Sequence, residues 1–448
     1  MPSVSRVSDD TDREILRLAV PAFLALVTEP LFLLADAAIV GHLGTAQLAG
    51  LGIAGAVVQT AVGLCVFLAY GTTASVARRI GAGDVRGALA QGVDGMWLAV
   101  GIGVLTTAVG TLLAGRLVAL FGSSRVVTEY AATYLRIAFL GVVPLLLVLA
   151  ATGVLRGLQD TRTPLRVAVA GNLGNVVLNV ALVYGVGLGI AGSALGSVLA
   201  QLGTGVALAV VVVGAARREG APLRPDLPGI RRAAHAGVPL VVRTLTLRAS
   251  LLVMTYAAAA LGATAVATHQ LASTVWTFLA FTLDAIAIAA QAITGRFLGA
   301  GDLSATRAVT TRMVRWGLVS GVVTGLALAA AAPVLGRLFT DDPAVRELLW
   351  RVLLTAAVFQ PVAGVVFVLD GVLIGAGDGR YLAWGGLVVL LVFVPLAWLA
   401  VHLADAWSGP APLVLLWVSF GVGFMGSRAV VLVHRARGSR WMVTGQVR

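Results

Sequence analysis

The sequence predicts an all-α polytopic membrane protein with twelve transmembrane helices in two pseudo-symmetric six-helix lobes. Composition points there first. Of 448 residues, 59% are hydrophobic and only 12% charged, and the mean hydropathy of +0.96 lies far outside the soluble globular range. An internal repeat points there as well. Ala77–Asp84 reads ARRIGAGD and Gly295–Asp302 reads GRFLGAGD, an offset of 218 residues. The same offset aligns Pro21 with Pro239, Leu43-Gly44 with Leu261-Gly262, Leu120-Phe121 with Leu338-Phe339, and Gly153–Asp160 with Gly371–Asp378. Gapless matches of this kind over about 140 residues of an apolar chain indicate two homologous halves.

A spanning helix needs about 20 mostly apolar residues. In the first half such stretches run from 15 to 40, 48 to 76, 92 to 115, 129 to 154, 164 to 187 and 190 to 216. In the second they run from 236 to 260, 265 to 296, 308 to 332, 346 to 374, 381 to 404 and 411 to 434. Six spans per half is an even number, so both halves enter the membrane from the same side and the symmetry axis is expected along its normal. The halves become an N-terminal lobe (1–216), a cytoplasmic inter-lobe linker (217–235, with Pro222, Pro225 and Pro228) and a C-terminal lobe with a short cytoplasmic tail (236–448).

All 32 basic residues are arginine, and they set the orientation. Arg78, Arg79 and Arg86 follow span 2, Arg156, Arg162 and Arg166 follow span 4, and Arg217, Arg218, Arg224, Arg231 and Arg232 follow span 6. Arg296, Arg307, Arg312 and Arg315 follow span 8, whereas the breaks after spans 1, 5, 7 and 11 contain none. Arg116, Arg125 and Arg337 run against the trend without reversing it. The positive-inside rule then places both termini in the cytoplasm and the chain in the cytoplasmic membrane. The formal charge of +12 is read as this topology signal facing anionic lipid, not as a nucleic-acid footprint. No small-residue cleavage site follows the first apolar run, so span 1 reads as an uncleaved anchor. A single cysteine, Cys65, allows no disulfide, thiolate metal site or redox pair within one chain.

Chemistry is therefore sought among polar groups inside the spans, where they are costly. Glu29 and Asp36 in span 1 are seven residues apart, which brings them to nearly one helix face about 10 Å apart. A partly desolvated carboxyl group at either position could bind and release a proton; the competing reading is a structural hydrogen bond between helices. Pro30 beside Glu29 removes a backbone donor and is expected to kink the helix. In span 5, Asn172, Asn175 and Asn179 form one stripe, which suits either a cavity lining or interhelical hydrogen bonding.

The second half carries a different set: Arg243 and Arg248 in span 7, Asp284 and Gln291 in span 8, and Asp370 in span 10. Depth along the helices predicts two ion pairs, Arg248 with Asp284 and Arg243 with Asp370, serving as struts or gates. His42 and His269 lie near outer span ends and carry less weight as relays. The Gly-Ala-Gly motifs lack the strand before and the Lys-Ser/Thr after that a phosphate loop requires, so they read as tight turns. There is no Ser/His/Asp set and no zinc spacing, so neither an enzyme nor a metal site is expected.

Residues Glu29–Gly44 (EPLFLLADAAIVGHLG), the loop Arg78–Asp84, the turn Leu155–Pro164 (LRGLQDTRTP) and the pattern Asn175-Val-Val-Leu-Asn179 resemble the multidrug and toxic compound extrusion (MATE) family. Leu283-Asp284 and Leu369-Asp370-Gly371 resemble its DinF-like branch. The likeness runs from about Glu14 to Arg435. It implies the MATE/MOP fold, with two six-helix lobes around a central cleft. It also implies alternating access and efflux of amphipathic, often cationic, compounds against an inward proton or sodium gradient. On this likeness the coupling carboxylate is Asp36, with Asn175 and Asn179 as partners. Many proton-coupled members carry Asp where this chain has Asn179, and sodium-site members carry an acid in span 7 that is absent here, so protons are expected as the coupling ion and sodium is less favoured. The expected partners are small amphipathic molecules and the lipid bilayer, the protein acting as a monomer without cofactor. Two alternatives stay open: a lipid-linked precursor flippase of the same superfamily, for which two intramembrane arginines speak, and a non-transporting membrane scaffold.

Overall fold

The computed structural model describes residues 4–403 and 411–445, with side chains described from Thr11 onward. Residues 404–410, between the eleventh and twelfth expected spans, and residues 446–448 of the expected tail lie outside the described residues. The first half folds into α1 (Val4–Gly41), α2 (Thr45–Leu64), α3 (Phe67–Gly81), α4 (Val85–Ala119), α5 (Arg125–Leu140), α6 (Val142–Gly157), α7 (Arg162–Val180) and α8 (Gly189–Arg218). The second half comprises α9 (Leu227–Ala260), α10 (Ala263–Gly299), α11 (Leu303–Phe339), α12 (Pro343–Gly375), α13 (Gly379–His402), α14 (Ala411–Ser419) and α15 (Ser427–Arg437). Short π-helical segments, Ala181–Gly185 and Phe420–Gly426, extend α7 and join α14 to α15.

Among the described residues eleven helical stretches are long and apolar enough to cross a membrane, and α5 with α6, bent by 48°, makes twelve. The bend has a local cause. Pro144 has no N–H to give to the Leu140 carbonyl and its ring crowds that turn, so the helix breaks at Gly141. The expected fourth span is thus two helices. The second span, Thr45–Gly81, is likewise interrupted at Cys65, whose amide makes a tight turn to Val62 O at 2.8 Å.

The repeat is visible in the turns. Gly83 and Gly301, one repeat apart, both have φ 77°, in the left-handed region that favours glycine. The aspartates that follow cap the next helix in the same way. The Gly87 amide donates to Asp84 Oδ1 at 2.8 Å, and the Ala305 amide to Asp302 Oδ1 at 2.8 Å. That amide bond holds the Asp302 carboxyl below the ordinary carboxylate range. The third turn departs in sequence only: Gly377 has φ 72° and its counterpart Gln159 φ 62°, the one non-glycine residue described with positive φ.

The chain forms two compact units. One contains Val20–Gly237; the other contains Val238–Gly445 together with the described part of Met1–Ala19. A boundary drawn at the linker differs from this division at α1, whose first turns group with the second unit. Within that unit Asp12 accepts from Arg312 Nε at 2.7 Å and Trp316 Nε1 at 2.8 Å, and Glu14 pairs with Arg296 at 2.8 Å. The linker is shorter than its composition suggests, because α9 begins at Leu227. It is also tied down within the first unit, where the Asp226 amide donates to Asp94 Oδ1 at 3.2 Å and Trp97 Nε1 donates to Leu223 O at 3.0 Å.

Helix packing in both units relies on small residues, which let backbones approach closely. A side chain on Gly153 would meet the Ala69 carbonyl, and one on Gly371 the Ala287 carbonyl.

Candidate functional site

Asp36 sits in α1 at 3% exposure, in the unit Val20–Gly237. Its Oδ1 accepts from Asn179 Nδ2 at 2.9 Å and from Ser193 Oγ at 2.5 Å, and its Oδ2 accepts from Tyr134 OH at 3.3 Å. Asn179 Nδ2 also donates to Asn175 Oδ1 at 2.9 Å, and Asn175 Nδ2 donates to Ser197 Oγ at 3.2 Å. Four helices therefore contribute: α1 the carboxyl group, α5 the phenol, α7 two amides at i, i+4 and α8 two hydroxyls at i, i+4. That spacing places each pair on one helix face. Gly196, between the two serines, lets Asn179 approach, since a Cβ there would strike Asn179 Oδ1. The π-helical segment begins two residues after Asn179, and Tyr184 within it donates to Ile39 O at 2.6 Å, tying this part of the chain back to α1.

All three donors to Asp36 are neutral. Among the described residues no guanidinium pairs with it, so gaining or losing a proton breaks no ion pair. Asn179 Oδ1 is buried and has no hydrogen-bond donor. Such an orphan acceptor is costly in a dry interior, and a carboxyl proton together with rotation of the amide would satisfy it.

The remaining first-half residues are placed differently. Glu29 is exposed and makes no side-chain hydrogen bond among the described residues. Asn172 donates to Thr28 O at 3.1 Å and stays out of the Asp36 network, serving as a link from α7 to the α1 backbone. His42 faces its own helix carbonyl, Ala38 O, at 2.7 Å.

In the second unit Arg243 and Asp370 form the expected pair. Arg243 Nε donates to Asp370 Oδ1 at 3.1 Å, and its Nη2 donates to Oδ2. Arg428 of α15 adds a third member, its Nη2 lying 3.4 Å from Asp370 Oδ2 and its guanidinium 5.5 Å from the Phe424 ring centre. The other expected pair does not form. Arg248 is exposed, and Asp284 is half-buried with an electrostatic interaction to Arg428. Matching depth was insufficient because Arg248 lies five residues from Arg243, about 140° around the helix. Gln291 is buried on α10. His269 is buried among Thr255, Ser273 and the Trp417 ring, whose centre is 5.8 Å away.

Tyr134, Ser193, Ser197 and Arg428 are members of these clusters that the sequence reading missed. Ser193 and Ser197 carried a usable signal, two hydroxyls four apart in a run of Gly, Ala and Leu. Arg428 was legible as an arginine inside the last apolar stretch. Tyr134 had no distinguishing pattern.

An all-helical fold with eleven apolar spans among the described residues, or twelve with the bent pair, buried polar networks inside the helices and close small-residue packing is that of a polytopic membrane protein. The chain belongs to the MatE family, whose sequence pattern matches residues 21–181 and again 239–399, two stretches that lie 218 residues apart. Similar curated proteins include Protein DETOXIFICATION 44, chloroplastic, of Arabidopsis thaliana, 30% identical over 93% of this chain and 82% of that one. DNA damage-inducible protein F of Escherichia coli (strain K12) is 29% identical over 88% of this chain and 87% of its own, in keeping with the DinF-like branch. The Probable multidrug resistance protein NorM of Bradyrhizobium diazoefficiens is 30% identical over 94% and 92%. Solved structures agree in fold. The Vibrio cholerae MATE transporter VcmN in the bent form superposes with a TM-score of 0.87 at 21% identity over 96% of this chain and 97% of that one. A MOP superfamily transporter from Pyrococcus furiosus gives 0.85 at 22% identity over 95% of each chain.

Proposed function

We propose that this chain is a secondary active multidrug efflux antiporter that exports amphipathic small molecules in exchange for protons bound at Asp36. The observation that carries the reading is a buried carboxyl group held only by neutral donors, on a helix that belongs partly to each compact unit. Protonation turns one Asp36 oxygen from acceptor into donor. Asn179, Ser193 and Tyr134 must then rearrange their hydrogen bonds, and α1, α7 and α8 repack around the neutral form. Two states with different affinity for proton and substrate provide the linkage that antiport requires.

Protons are preferred over sodium because the buried acid of the second unit, Asp370, is already engaged by Arg243 and Arg428, and α9 offers no acid beside it. The same engagement weighs against a flippase for lipid-linked diphosphates, since it withdraws Arg243, one of the two arginines inside α9, from a ligand and leaves a single guanidinium there for a diphosphate. The arginine distribution supports a location in the cytoplasmic membrane with both termini inside. The monomer is taken as the working unit, with Glu29 as an accessory carboxyl group near the proton path.

The test is dye efflux from vesicles under an imposed pH gradient. Asp36→Asn should abolish gradient-driven efflux at normal expression and folding; efflux at the wild-type rate would remove Asp36 from the mechanism.

A further inference from the structure

We propose that Arg248 is the counter-charge for an anionic group on the transported compound, so that the substrates of this protein include amphipathic organic anions carrying a carboxylate or sulfonate. The inference rests on the efflux reading and names a substrate class for it.

Arg248 lies ten residues after Val238 and twelve before Ala260, the limits of the apolar part of α9. At 1.5 Å per residue it is about 15 Å from one end and about 18 Å from the other. Its side chain is exposed, and among the described residues it makes no hydrogen bond or ion pair. A charged guanidinium at this depth, too far in to snorkel to either interface, is strongly disfavoured against hydrocarbon. The face of α9 that carries it is therefore wetted and open to solutes.

The neighbouring cations differ in kind. Arg243 and Arg428 are spent on Asp370, and Asp284 interacts with Arg428, so no carboxylate of this unit neutralises Arg248. The surface along the stripe is apolar: Leu245 is 47% exposed, Leu252 69% and Tyr256 82%, at three residues before, four after and eight after Arg248. A fixed fork of donors between aliphatic and aromatic surface matches a planar or aromatic body with one anionic head. A cation would be repelled from the same place.

The full-length protein in detergent is titrated calorimetrically with naphthalene-2-sulfonate, with ethidium as the cationic control, and the same pair is then followed for flux in vesicles under a pH gradient. Arg248→Gln should weaken sulfonate binding at least tenfold and leave ethidium binding unchanged or tighter, and Arg248→Lys should retain part of the sulfonate affinity. Arg248→Cys carried through reaction with a cationic thiol reagent should recover binding, whereas a neutral reagent should not, which separates lost charge from lost folding. Sulfonate affinity unchanged in Arg248→Gln, or absent from the wild type, overturns the proposal. Gradient-driven flux of ethidium but not of sulfonate would overturn this proposal and leave the antiport reading standing, whereas Arg248-dependent sulfonate binding with no gradient-driven flux of either compound would overturn the antiport reading and, with it, the claim that the bound anion is transported.

Discussion

Of the three aspartates buried among the described residues, Asp36 and Asp370 sit in opposite electrostatic settings. Asp36 accepts from an amide, a serine and a phenol, whereas Asp370 faces two guanidinium groups. The first can change protonation without disrupting an ion pair, and the second cannot. Arg243→Met should therefore lower stability by about 3–5 kcal/mol, because it leaves Asp370 charged and under-compensated in a dry interior. Arg248→Met, at an exposed and unpaired position, should change stability by only about 0.5 kcal/mol. Thermal unfolding of the two variants in one detergent checks the contrast, and equal losses would contradict it. Gln159 offers a third test. It holds the left-handed conformation that glycine occupies in the other half, so Gln159→Gly should raise stability by about 1 kcal/mol, read in the same assay. Asp36, Asn175 and Asn179 were legible as residues because carboxyl and amide groups are rare and expensive inside apolar spans. Their partner Tyr134 was not, since an aromatic residue in a span is ordinary.

At the scale of elements, close approach decides what a helix can present. α7 carries Asn175 and Asn179 into the Asp36 network only because α8 has Gly196 facing it. Gly196→Ala should push Asn179 away, costing about 1–3 kcal/mol of packing energy and slowing efflux more than it lowers folded yield. Efflux unaffected in that variant would mean that Asn179 does not need its present position. Helix face also explains the uneven fate of the two arginines on α9. Spacing in sequence gave the depth of both, but 140° of rotation separates a buried strut from an exposed cation. The α5–α6 bend follows from Pro144 and could have been anticipated from it, whereas the π-helical segment after Asn179 leaves no comparable mark in composition.

At the scale of the whole molecule, the two family matches repeat the 218-residue offset, and the turns repeat it in backbone geometry. The catalogue of costly groups does not repeat: Asp36 aligns with Met254 and Asp370 with Thr152. Coupling chemistry is thus expected from one half at a time, and flux measured under separate gradients should respond to protons alone; flux driven by sodium at uniform pH would reassign the coupling ion. The membrane as solvent, the number of spans, the duplication and the turns were all legible in the order of residues, because hydropathy, charge bias and glycine position act locally and need no knowledge of packing. Which polar groups meet was set by packing. It gathered Tyr134, Asn179 and Ser193 around Asp36, recruited Arg428 to Asp370 and left Arg248 exposed. The physical reason is that contacts between helices depend on rotation and close approach, which are set by neighbours far away in the chain.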